Sequence, residues 1–498
     1  NQLVTHIEDY LAHFLEDSAI DVIAIVVEVL KRPDDFFRSC LRAHELGKTI
    51  VLFQAGQSEV GQHMTRSHTG ALATDSDVAR AFFRRCGIVA PRNYDEFVET
   101  IALLSVTPQW LIPDSELIVV SGSGGGAAII ADNVASTDLS FAAFAEPTAA
   151  ALNAVLPEFG SITNPIDATG AMSDNPALLP AVFDALMPST GQAIVATAVS
   201  AWPAGKANSR RFARILAEVA RRSERAIVAY QASPLGGPLD EEVVKTLHGA
   251  GVPLLLGIPS AMHALQHLPR RAERRNLDRH LAFASEANPV VLPLDYTGRR
   301  KFLLRRGVVM VDARLVGDAD AAVRAFREFA SPVAVKIDSP DILHKSDIGG
   351  VVLGCASEDD VRAAYEGVVA NVARAGFPGT LTVIIQPMCQ GLIEAYAAIV
   401  HDPVFGSVVT CGLGGVFIEI LGDVAMEMAP VSHRDALDMI ARLRASPVLQ
   451  GARGRPPADI EALADLLVAL GRIAAETRGS FRTLELNPII VHATGEGV

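Results

Sequence analysis

The chain has 498 residues, half of them hydrophobic, with 57 acidic against 43 basic side chains and a formal charge of −14. That sign repels phosphate backbones and anionic lipid except where lysines cluster, which argues against a nucleic-acid partner. No apolar run reaches the roughly 20 residues that a bilayer span needs, so no membrane partner is expected; five cysteines without a CxxC pair indicate neither a disulfide framework nor a zinc site, and fit a reducing, cytoplasmic setting.

From Asp21 the runs "DVIAIVVEVL", "PDDFFRSCLRAHELG", "TIVLFQAG", "DSDVARAFFRRCG" and "YDEFVETIALLS" alternate strand-like and helical patterns. Near-continuous apolar strands imply helices on both faces, hence an α/β domain with a mostly parallel sheet, ending near Trp110. Glu28 closes the apolar run "IAIVV". A carboxylate there either orients an imidazole or is a strand-end charge facing solvent. His68 lies in "RSHTGALATDSD", between a strand ending near Ala55 and a helix beginning near Asp75. That is the ligand-binding side of an open sheet, although a surface histidine also satisfies the composition.

A second such unit opens with "ELIVVSGSGGGAAIIAD" and runs to the helix "SAMHALQHLPRRAERR", whose charged end reads as the start of an interdomain linker. Its glycine turn follows a strand and opens a helix, so Gly124, Gly125 and Gly126 present free N–H groups to an anion or simply make a tight turn. Gly122, Gly124 and Ala127 satisfy a loose dinucleotide fingerprint, with Glu146 at about the right distance. In "SITNPIDATG", Asn164 and Asp167 suit either Asx-turn chemistry or an active-site wall.

The third region, from about Pro293, mixes strands, helices and glycine-rich turns and reads as α+β or mixed α/β. Lys336 stands inside the strand "VAVKI", where burial is costly unless an anion pairs with it. His344 and Lys345 follow in a turn that ends in Gly349-Gly350. Glu394 interrupts "GLIEAYAAIV", while Glu419, Asp423, Glu485 and Asn487 place oxygens near the ends of apolar strands. Mg²⁺ bound to phosphates asks for such oxygens; salt bridges and loop-end hydrogen bonds explain each residue singly.

"SHTGALA", "NPIDATG", "VAVKIDSPDILHKSDIGGV", "GLGGVFIEILGDVA", "ARGRPPAD" and "LELNPIIV" occur in this order over nearly the whole chain. Together they resemble the nucleoside-diphosphate-forming acyl-CoA synthetases, relatives of succinyl-CoA synthetase that include ADP-forming acetyl-CoA synthetases and feruloyl-CoA synthetases. The resemblance implies an α/β multidomain chain: flavodoxin-like ligase domains at 1–112 and 113–275, a linker at 276–292 and an ATP-grasp domain at 293–498. It implies a carboxylic acid, CoA and ATP as substrates, Mg²⁺ as cofactor, ADP as a product, a cytoplasmic location and a homodimer or higher homo-oligomer.

Carried over by position, His68 resembles the ligase-core phosphohistidine, with Glu28 orienting it. Ser67, Thr69, Gly70 and the turn Gly124 to Gly126 stand where the family holds its phosphate. His344 resembles a second phosphohistidine that ferries phosphate, Lys336 the lysine on the nucleotide phosphates, and Glu394 a nucleotide contact. Asn487 and Glu485 stand on the Mg²⁺ side of the cleft. Relatives commonly begin with a Rossmann-type CoA-binding domain, which is expected but does not precede Asn1, and continue to a metal-binding aspartate beyond the "NP" motif. Gln54 stands where many relatives carry lysine. Two other readings are an NAD-dependent oxidoreductase using the Gly122 turn and a non-catalytic CoA- or nucleotide-binding regulatory protein. Neither uses the SHTG motif, His344 and Lys336 together.

Overall fold

The computed structural model describes residues 4–58, 60–61, 64, 76–113, 115–186, 193–202, 206–223, 225–232, 238–269, 289–293, 295–339, 342, 345–377, 382–414 and 422–498. His68, His344, Ser67, Thr69, Gly70 and Glu419 lie outside them. The chain divides into two compact units, residues 1–281 and 282–498.

In the first unit, β1 (Val22–Val27) and β2 (Thr49–Gln54) pair in parallel from Val22 opposite Thr49 to Val27 opposite Gln54. Helix Pro33–Glu45 connects them, its first turn carrying Pro33 and two acidic residues, as a helix N-terminus favours. The strands differ in burial. In β2 the residues Thr49 to Leu52 are all buried, whereas β1 alternates, with Ile23, Ile25 and Val27 inside and Ala24 and Val26 exposed. The expectation of cover on both faces therefore fails for β1, because among the described residues only one of its faces packs. Val26 is 54% exposed.

Next come β3 (Glu116–Ser121), β4 (Ser140–Phe141), β5 (Ile166–Asp167), β6 (Ile194–Ala198), β7 (Ile227–Gln231) and β8 (Leu254–Leu256). They form a parallel sheet ordered β4-β3-β6-β7-β8, with β5 paired to the end of β3. Leaving β5 aside, that is the flavodoxin order, which reverses between β3 and β6. The crevice beyond the carboxyl ends of those strands is where such sheets bind ligands.

Alternate residues of β3 feed two cores. Ile118 and Val120 face the helices Leu178–Leu186 and Lys206–Arg222. Leu117 and Val119 pack with Val51 of β2, Phe97, Leu103 and Leu104 of helix Tyr94–Val106, and Met262 and Leu265 of helix Ile258–Leu265. The stretches 1–112 and 113–275 thus share a core within one unit.

Among the described residues the second unit holds two antiparallel four-stranded sheets. β9 (Arg314–Val316), β10 (Val333–Asp338), β11 (Val351–Cys355) and β12 (Thr382–Pro387) run in the order β11-β10-β12-β9. The other sheet contains β13 (Ile393–Asp402), β14 (Gly406–Leu413), β15 (Val424–Met428) and β16 (Thr483–Val491), ordered β15-β14-β13-β16. Helices Ala319–Phe329 and Glu358–Arg374 cover the first; Ser357 and Asp360 start the latter with a capping box. Helices His433–Ala441 and Ile460–Thr477 cover the second. Helix Tyr296–Leu304 joins the two layers. Phe302 and Leu303 enter the core of the second sheet, while Tyr296 accepts a 3.3 Å bond from Gln386 of β12 and Arg299 pairs with Asp338 of β10 at 3.4 Å.

Candidate functional site

In the first unit the described site residues, Glu28 and Gly124 to Gly126, each stand at the carboxyl end of a parallel strand. Glu28 follows β1 directly, beside the end of β2 at Gln54, where the segment leading to His68 begins. The glycine turn follows β3 at the reversal in strand order and opens helix Gly124–Val134. Ser123 caps that helix, its Oγ accepting the Gly126 N–H at 3.4 Å.

Two glycines have local steric reasons. A Cβ on Gly124 would lie 2.9 Å from an Asp167 carboxylate oxygen, and one on Gly126 would lie 3.1 Å from Ser121 Oγ. Gly125 is different: a Cβ there would meet nothing closer than 3.8 Å, so packing does not demand glycine. An unobstructed backbone at the first turn of a helix is what an incoming anion needs. Glu146, required by the dinucleotide reading, is the exposed first residue of helix Glu146–Val155.

The residues of "NPIDATG" divide between structure and site. Asn164 is a brace: its Oδ1 accepts from Val119 N at 3.1 Å, and its Nδ2 donates to Leu117 O at 2.8 Å and Ala142 O at 3.0 Å. Asp167 ends β5 against the glycine turn and accepts the Thr169 N–H at 2.9 Å. Thr169 has φ +57°, rare for a β-branched residue, so this wall of the crevice is held in a costly backbone conformation.

In the second unit Lys336 lies on β10, half-buried, opposite Val351 of β11 and Ile384 of β12. Burial pulls its pKa below the ordinary lysine value, and the neighbouring charge of Lys345 adds to the effect. Lys345 is also half-buried and lowered by burial, with Asp338 opposing the shift. Neither ammonium has an ion-pair partner among the described residues. Lys345 was not singled out as a site residue from sequence, although its place beside His344 was the available signal.

The face of β13 and β16 away from the second core carries the oxygens. Ala395, Ala397, Ile399, Ile489 and Val491 point into the core. Glu394, Glu485 and Asn487 are exposed, and the Asn487 amide donates to Glu485 Oε1 at 3.1 Å, leaving Asn487 Oδ1 as an acceptor. Asp423 does not join them: its carboxylate accepts the N–H groups of Arg444 at 3.0 Å and Ala445 at 2.8 Å. Two backbone bonds on a buried carboxylate give it a structural task, and the expectation of a metal oxygen there is corrected. Among the described residues no group of three His, Cys, Asp or Glu side chains converges on a metal position. Glu485 and Asn487 nevertheless fit Mg²⁺, which takes one or two protein oxygens when phosphates and water supply the rest.

Residues 1–104 match the family model described as a succinyl-CoA ligase like flavodoxin domain, and residues 294–498 the model described as an ATP-grasp domain. A trans-feruloyl-CoA synthase of an unknown prokaryotic organism is 29% identical over 508 residues, covering 100% of this chain and 70% of that protein. The ADP-forming 4-hydroxybutyrate–CoA ligase of Nitrosopumilus maritimus is 26% identical over 100% of this chain and 72% of its own length. Subunit beta of the ADP-forming acetate–CoA ligase II of Pyrococcus furiosus is 36% identical over 200 residues, 40% of this chain and 84% of that subunit.

Proposed function

We propose that this chain, which belongs to the nucleoside-diphosphate-forming acyl-CoA synthetases, joins a carboxylic acid to coenzyme A at the expense of ATP, with release of ADP and phosphate. One observation supports this assignment above the rest. A ligase-type sheet with an unobstructed glycine helix terminus and an ATP-grasp-type sheet with a half-buried lysine, which has no ion-pair partner among the described residues, occur in one chain that aligns along its full length with such ligases.

The chemistry follows from the residues. Lys336 holds the nucleotide phosphates while a neutral His344 nitrogen attacks the γ-phosphorus and ADP leaves, giving a phosphoramidate. The group passes to His68, oriented by Glu28, with the N–H groups of the Gly124 to Gly126 turn and the Ser67 to Gly70 loop around the phosphoryl oxygens. A carboxylate oxygen of the acid attacks phosphorus, which frees His68 and yields an acyl phosphate. The CoA sulfur then attacks the acyl carbon and inorganic phosphate departs. Glu485 and Asn487 would hold Mg²⁺, which would neutralise phosphate charge when bound, and Glu394 contacts the nucleotide. The oxidoreductase and regulatory readings gain no support from the relatives, and they leave the two lysines without a task.

Five free cysteines, four of them buried, favour a reducing cytoplasm. Among the described residues nothing covers the Val26 face of β1, which favours a homo-oligomer that light scattering would measure. In the full-length protein, acyl-CoA formation from a panel of aliphatic and aromatic acids should depend on ATP, and His68→Ala should abolish it while leaving the melting temperature unchanged. Near wild-type turnover by that variant would overturn the assignment of His68.

A further inference from the structure

We propose that Cys40 and Cys86 are a redox-sensitive staple: a peroxide converts the pair to a disulfide that fastens helix Pro33–Glu45 to the end of helix Ser76–Arg85. The proposal rests on the fold of the first unit and stands apart from the synthetase reading.

Two ridges bring the sulfurs together. Residues four apart share one face of a helix, so Phe36, Cys40 and His44 form one ridge. Phe82 and Cys86 form another, because the Cys86 N–H still donates to Phe82 O at 2.9 Å. Phe36 packs against Phe82 with ring centroids 6.3 Å apart, and at the other end of the ridge His44 Nε2 donates to Cys86 O at 3.0 Å. Cys40, midway between these contacts, faces Cys86. Both are buried, at 0% and 1% exposure. Burial pushes the Cys86 thiol well above its ordinary pKa, and a hydrogen bond with the Cys40 thiol pushes it further the same way. Cys355, Cys389 and Cys411 lie in the second unit, so the first unit contains this pair alone.

A lone buried thiol is an inert, small apolar residue. A pair differs, because the second half of disulfide formation is built in. One sulfur attacks a peroxide oxygen, the O–O bond breaks, and a sulfenic acid and water form. The neighbouring thiol attacks that sulfur, the S–S bond forms, and the hydroxyl leaves as a second water. Two electrons and two protons thus pass from the thiols to the peroxide. Cys40 is the point of entry: it lines a crevice with His44, Lys48, Thr49 and Gly87, where the basic side chains favour thiolate and Gly87 presents no side chain. The raised Cys86 thiol makes closure slow, so the staple answers sustained oxidation. Helix Ser76–Arg85 follows the His68 segment in the chain, and helix Pro33–Glu45 joins β1 to β2, so the cross-link tightens the frame from which that segment springs.

Full-length protein carrying Cys389→Ser, which removes the exposed thiol, is treated while folded with excess hydrogen peroxide, then alkylated in urea and digested. The expected result is a linked peptide joining Cys40 to Cys86, an intact mass lower by two hydrogens and two fewer titratable thiols, all reversed by dithiothreitol. Oxidised protein should also show slower amide exchange over Ser76–Val89 and a higher urea midpoint than reduced protein, since the cross-link restricts the unfolded chain. Cys40→Ala and Cys86→Ala should each abolish the linked peptide and the shift in midpoint. Sulfinic acid at either position without a cross-link, a cross-link that forms only after unfolding in urea, or thiols that stay reduced would overturn the proposal. None of these outcomes touches the synthetase reading, whose own failure shows as absence of ATP-dependent acyl-CoA formation by the reduced protein.

Discussion

Glu99 is a carboxyl group only 7% exposed, and its Oε2 accepts the Leu256 N–H at 2.8 Å between helix Tyr94–Val106 and the end of β8. Burial pushes its pKa from 4.5 up to about 7. The folded state therefore keeps a proton that the unfolded state gives up above about pH 4.5. This contribution to stability is fully present below that value and is lost as pH rises through about 7. Glu99→Gln should flatten the loss, making the protein more stable than wild type at pH 8 by on the order of 2–3 kcal/mol, read by urea melts at pH 5 and 8. One turn earlier, Glu96 shows the opposite sign. Burial pushes its pKa up, but the 2.7 Å contact with the equally buried His267 wins and holds it below the ordinary value. That stability is present above about pH 4.5 and is lost on acidification. His267→Ala leaves Glu96 buried without the imidazole and should cost about 3–5 kcal/mol in the same melts. Both glutamates sit three apart on the face that also buries Thr100 and Leu103. "YDEFVETIALLS" shows the helix, but a carboxylate on its apolar stripe looks like a surface charge until the partner at His267, distant in sequence, is known.

Elements were legible where a local rule decides them. The period of the apolar runs located the helices Ser76–Arg85, Tyr94–Val106 and Gly124–Val134, and Gly-rich or polar breaks bounded β2, β3 and β10. One inference failed because tertiary packing decides it. "VIAIVV" reads as a strand buried on both faces, yet Ala24 and Val26 are exposed, since apolar content states affinity for cover without stating that cover is present. Gly349-Gly350 is decided by both local and tertiary terms: Gly349 takes φ +65° with an Asn371 amide where a Cβ would go, and a Cβ on Gly350 would lie 2.9 Å from both the Ile337 side chain and Lys345 O. The diglycine allows close approach, and it fastens this end to β10. Gly349→Ala therefore meets both a left-handed backbone and a side chain with little room to withdraw, so it should destabilise the second unit by about 1–3 kcal/mol. Loss of nucleotide affinity alongside the shift in the urea midpoint would tie the turn to the cleft; an unchanged midpoint would show that Asn371 yields freely.

At the scale of the whole chain, the motif order implied a ligase core followed by an ATP-grasp domain, and the family models fall on 1–104 and 294–498 accordingly. Sequence could not show that 1–112 and 113–275 share a core, because Val51, Phe97 and Leu265 look alike whether they pack within one domain or across two. The division at 281 and 282 bears on the proposed relay. His68 falls in the first unit and His344 in the second, with Lys336, so on the roles proposed for them phosphate taken from ATP would have to change units before it could activate an acid. A phosphoramidate suits that journey: it keeps the phosphoryl group activated on a carrier that does not dissociate. In the full-length protein, His344→Ala should accordingly block labelling of His68 by ATP labelled at the γ-phosphate. The same variant should still label His68 from acyl-CoA and labelled inorganic phosphate, because that route runs through the acyl phosphate and never visits the nucleotide cleft. Phosphopeptide mapping after both incubations separates the two. Labelling of His68 from ATP at the wild-type rate would mean direct transfer and end the relay model, while loss of labelling in both directions would mean that His344 serves the ligase core itself.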